Sequence, residues 1–122
     1  MRILIAVASV WAILFAVPFV IYGTASSFLH LEAPAEAVPF LWGVAVTKLG
    51  TALAFVGIFA LSRNAWRSRW FTYGAIWFLM FAASEIGDIV QMATSPVEGL
   101  LGIFSEAIYA PVSALTTDRL LR

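Results

Sequence analysis

The stretch Trp70–Gln91, WFTYGAIWFLMFAASEIGDIVQ, decides how this chain is read. It is apolar enough to span a membrane, yet Glu85 and Asp88 lie in its second half. A carboxylate in hydrocarbon is costly unless it is paired, neutralised or turned to a cavity. Residues three or four apart share a helical face. Trp77, Phe81, Ser84, Glu85, Asp88 and Gln91 are therefore expected on one stripe, which something inside the protein must receive.

The rest of the chain has the composition that such a span needs. Of its 122 residues, 62% are hydrophobic and only 11% charged, against about 25% charged in soluble domains. The expected class is all-α integral membrane, in a single domain covering residues 1–122. Zero net charge gives no reason to expect nucleic acid as a partner. The absence of cysteine excludes disulfides, thiol chemistry and iron–sulfur ligation. His30 is the only histidine, and with Glu32 it reads as an exposed loop pair, so neither a metal nor a cofactor is expected.

Spans are expected at about 3–25, 40–61, 70–93 and 99–115. The first follows Arg2, and Gly23-Thr24-Ala25 after it has some likeness to a signal-peptide cleavage region. Its apolar run is longer than a secretory core, so a retained helix is expected, kinked at Pro18. The second span is interrupted only by Lys48 and carries Gly43, Thr47, Gly50, Ala54 and Gly57. Such a small-residue stripe predicts a close helix contact, within the bundle or between protomers. Ser62–Arg69 forms a basic turn, and Thr116–Arg122 a polar tail. Arg2, Arg63, Arg67, Arg69, Arg119 and Arg122 fall on one side of a four-span arrangement, and Glu32, Glu36 and Glu98 on the other. The positive-inside rule then predicts an up-down-up-down bundle in the cell inner (plasma) membrane, with both termini cytoplasmic.

At about 1.5 Å per residue, Lys48, Glu85 and Glu106 all fall roughly 12–15 Å below the outer surface, with Asp88 one turn shallower. Span four aims Glu106 inward on a seam of Gly99, Gly102, Glu106, Tyr109 and Ser113, at helical offsets. Lys48 is expected to pair with Glu85 or Glu106, which by itself would only fix helix register. One lysine neutralises one carboxylate, so the surplus acids should hold protons or face water. Surplus acids inside a bundle point to proton transfer or polar-ligand binding. Glu85, Asp88 and Glu106 are thus the candidate proton donors and acceptors. Lys48, Trp77, Phe81, Ser84, Gln91 and Tyr109 are the candidate ligand-binding residues. Tyr22 and Tyr109 have hydroxyls that suit the carboxylates, whereas Trp11, Trp42, Trp66 and Trp70 read as interfacial anchors.

Two segments, Thr47–Phe55 (TKLGTALAF) and Arg69–Asp88 (RWFTYGAIWFLMFAASEIGD), resemble the small four-helix DoxX-like membrane proteins. The shared features are a Lys-Leu-Gly second helix, a short basic turn and an aromatic-rich third helix ending in polar residues. Relatives often show Ser-His where this chain has Ser84-Glu85. The resemblance implies an accessory membrane protein, some of whose relatives are associated with quinone or thiol redox systems. Three functions are consistent with these residues. One is binding of a lipophilic quinone- or isoprenoid-like molecule, or service as an accessory subunit in a homo-oligomer or larger membrane complex. The second is proton-coupled transport of a small molecule by a homodimer. The third is a membrane isomerase or cyclase using acid–base carboxylates. Whether the chain is an enzyme is therefore left open by its sequence.

Overall fold

The computed structural model describes residues 1–122 and contains five helices: α1 Arg2–Leu29, α2 Ala37–Leu61, α3 Arg63–Trp66, α4 Trp70–Val90 and α5 Pro96–Leu121. All but α3 are long and apolar enough to cross a membrane. The chain is accordingly a membrane protein. Only 22 of 122 residues are buried within it, and Phe19, Phe71, Leu79 and Phe104 are among many large apolar side chains on the outside. An exterior of that kind matches lipid rather than water.

Local sequence explains the helix ends. α5 starts at Ser95, whose side chain accepts a hydrogen bond from the Glu98 amide at 3.2 Å. Pro96 follows the cap, and Glu98 lies in the first turn. Two left-handed residues, His30 (φ 50°) and Met92 (φ 58°), stand just after α1 and α4 and turn the chain back. α1 runs unbroken through Pro18, and α5 through Pro111.

The helices pack in the spatial order α2, α1, α5, α4. Contacts fix their directions. Trp11 reaches Ala45, Tyr22 reaches Glu98 and Arg2 reaches Arg122, and Glu85 lies over Gly102 while Gly74 lies over Pro111. The α1–α5 and α4–α5 pairs are therefore antiparallel. α5 is the central helix, with one face carrying Gly99, Gly102, Ser105, Glu106, Tyr109, Ala110, Ser113 and Ala114 into the interior. Glycine makes this possible at Gly74, where a Cβ would come 3.0 Å from the Pro111 Cα.

The apolar core occupies the half of the bundle nearer the arginines. Val10 and Leu14 of α1, Phe55, Val56 and Phe59 of α2, Tyr73 of α4, and Tyr109 and Ala114 of α5 meet there. α2 and α4 are not close backbone neighbours. Aromatic rings bridge them instead, with Phe55 and Phe59 edge-on to Tyr73 and Phe55 against Trp77. The Tyr73 hydroxyl closes the bridge by donating to the Phe55 carbonyl.

Two expectations are corrected and a third is narrowed to its second alternative, a contact between protomers. α5 runs to Leu121, well beyond the expected end at 115, so most of the supposed polar tail is helix. The basic turn holds a short helix, α3. The small-residue stripe of α2 makes no close contact within the chain, since a Cβ at Gly43, Gly50 or Gly57 would meet nothing within 4 Å. α2 turns that stripe outward because it packs on α1 with its opposite face, through residues such as Ala52 and Val56.

Candidate functional site

Beyond the aromatic bridge, towards the end of the bundle bearing Glu98, the interior becomes polar. Glu106 is 4% exposed, and its Oε2 is buried without a hydrogen-bond partner. Glu85 of α4 extends across the α4–α5 interface onto Gly102, one helical turn before Glu106. Gly102 makes room for it: a Cβ there would lie 2.7 Å from the Glu85 Cδ and 2.8 Å from its Oε1.

Lys48 is half-buried on the α2 side. Its Nζ donates to the Tyr109 hydroxyl at 3.5 Å and stands 5.1 Å from that ring's centroid, a cation–π position. The expected direct pairing of Lys48 with Glu85 or Glu106 does not occur, because the one ion pair in the chain joins Arg122 to Asp118. α2 is held chiefly on α1, and the Lys48 ammonium rests against the Tyr109 ring of α5 instead. Tyr22 of α1 completes the cluster, its hydroxyl donating to the Glu98 carbonyl at 2.8 Å.

The stripe expected on Trp70–Gln91 divides. Trp77, Phe81 and Glu85 are half-buried, whereas Ser84, Asp88 and Gln91 are exposed. Asp88 therefore lies outside the buried acid pair, and Ser84 and Gln91 lie outside the interior. The reason is geometric: α4 packs chiefly on α5, so only the narrow line through Tyr73, Gly74 and Ala82 is fully covered. Trp77 packs at a tilt on Phe81, and Phe81 edges onto Tyr109. An aromatic ladder thus runs from Trp66 through Tyr73 and Trp77 to the ring under Lys48. A groove of about 360 Å³, lined by Pro39, Phe40, Gly43, Val44, Thr47 and Lys48, opens on α2 at the same level.

Comparison with known protein families, curated proteins and solved structures finds no match for this chain. Its chemistry must be read from its own residues. No group of histidine, cysteine, aspartate and glutamate side chains is arranged to hold a metal ion.

Some residues escaped the sequence reading. Trp11, expected as an interfacial anchor, donates from Nε1 to the Ala45 carbonyl at 2.9 Å and pins α1 to α2. Asp118, expected in a tail, is 1% exposed. The signal for it was present, because Ala110, Ala114 and Asp118 repeat at four-residue spacing beside the seam of Glu106, Tyr109, Ser113 and Thr117.

Proposed function

We propose that this chain is a DoxX-like multi-pass protein of the inner (plasma) membrane, with both termini cytoplasmic, that binds a lipophilic molecule bearing a polar head. A quinone- or isoprenoid-like ligand fits the chemistry best. One observation carries this reading. The only lysine of the chain has no carboxylate partner and instead ends a groove, against the hydroxyl and ring of Tyr109. An ammonium so placed serves a hydrogen-bond acceptor such as a quinone carbonyl, while Phe40 and Val44 in the groove offer apolar surface to the rest of the ligand. The Glu85–Glu106 pair supplies a proton donor or acceptor next to that head. This pair also favours a second reading, an isomerase or cyclase acting on the same ligand class. The aromatic ladder fills the bundle on the arginine side, which favours binding over alternating-access transport.

The test uses the purified full chain in detergent, with tryptophan emission followed against a short-chain quinone. Saturable quenching is expected, weakened about tenfold in Lys48→Met by loss of a charge-assisted hydrogen bond. Quenching that rises linearly without saturation, equally in both proteins, overturns the reading. Topology is tested by reporters placed after Arg122 and within Arg63–Arg69, both of which should be cytoplasmic. A split result would exclude the four-span orientation.

A further inference from the structure

A second polar centre lies at the opposite end of the bundle, where α2, α3 and α5 end together. Arg63, Arg67 and Arg122 line one small cavity of about 10 Å³ with Phe59, Asp118 and Leu121. Asp118 is 1% exposed. Its Oδ2 accepts from Arg122 Nε at 3.1 Å and from Arg122 Nη2 at 2.6 Å, while its Oδ1 is buried without a partner. Arg63 donates through Nη1 to the Leu121 carbonyl at 3.4 Å, and Arg2 donates to the Arg122 carbonyl at 2.8 Å. Arg67 makes no side-chain hydrogen bond to the protein.

The charge count is unequal. Three guanidinium groups line the cavity with one carboxylate, and that carboxylate is engaged by Arg122. Arg63 and Arg67 keep unused donors at the cavity mouth. Guanidinium forks are matched to phosphate oxygens. The depth is also informative, because Arg63 and Arg67 lie in the short connection between two membrane-spanning helices, α2 and α4, where lipid headgroups are within reach. The cavity is too small to enclose a phosphate, so an anion would seat on its rim.

We propose that this rim binds the phosphate of an anionic phospholipid, with Arg63 and Arg67 as its ligands and Asp118 as the residue that positions Arg122 beside them. The inference is independent of the Lys48 site. By bridging α3 to the end of α5, the headgroup would clamp the arginine-rich end of the bundle. Arg69 and Arg119 do not line the cavity and serve as internal controls for diffuse attraction between any basic surface and an anionic bilayer.

The experiment places the full chain in phosphatidylcholine bilayers with and without phosphatidylglycerol and follows thermal unfolding by tryptophan emission. Phosphatidylglycerol should raise the midpoint. The rise should be mostly lost in Arg63→Gln/Arg67→Gln and retained in Arg69→Gln/Arg119→Gln, with inorganic phosphate giving no rise in pure phosphatidylcholine. Arg67→Gln alone, which removes no hydrogen bond within the protein, should lose part of the rise even if the double variant fails to fold. Absence of a rise, or equal loss in both double variants, overturns the site. A rise reproduced by inorganic phosphate overturns the assignment to a lipid.

Discussion

α5 and α2 both carry glycines at helical spacing, and the two helices use them in opposite ways. On α5, Gly102 and Gly99 lie under side chains of α4: the Glu85 carboxyl occupies the space above Gly102, and Ile89 the space above Gly99. On α2, Gly43, Gly50 and Gly57 face open space. The difference arises from position in the bundle. α5 has close neighbours on two sides, α1 and α4, whereas α2 leans chiefly on α1. A glycine stripe shows where a backbone could be approached, and the packing order decides whether anything approaches it.

The comparison can be broken most directly at the close crossing of α4 and α5. Gly74→Leu should cost at least about 1–3 kcal/mol through overpacking, because backbone atoms of Pro111 and Ala110 meet the new side chain. A thermal midpoint equal to that of the wild type would show that the two helices do not pack here. The next effect in size concerns the bridge between α2 and α4. Tyr73→Phe removes the hydroxyl that donates to the Phe55 carbonyl and should cost about 1 kcal/mol, read as a lower midpoint with the aromatic packing kept.

Gly102→Ala sharpens the contrast at the site. The new methyl would press on the end of a flexible glutamate side chain rather than on backbone, so the stability loss should stay below about 1 kcal/mol. The carboxyl stretching bands of Glu85 and Glu106 should shift in infrared spectra, and quinone quenching should weaken. Unchanged bands would mean that Glu85 does not rest on Gly102. The smallest effect is expected at Gly50→Leu, within about 0.5 kcal/mol of wild type, because nothing in the chain occupies that space. A loss of oligomeric state in this variant, by light scattering in detergent, would assign the open stripe to contact between copies.

Run length and helical period are enough to identify a helical membrane protein with four spans and to name the inward seam of α5 residue by residue. Both follow from local properties: apolar run length against the thickness of a bilayer, and a helical period that places Gly99, Gly102, Glu106, Tyr109 and Ser113 on one line. Tertiary structure alone decided which of two plausible stripes is filled, that Asp88, Ser84 and Gln91 face outward while Glu85 faces in, and that Lys48 meets Tyr109 rather than an acid. It also drew Asp118 into the interior by extending α5 to Leu121. These outcomes depend on which helices become neighbours. Periodicity fixes the angle of a side chain about its own axis and carries no information about which helix lies opposite.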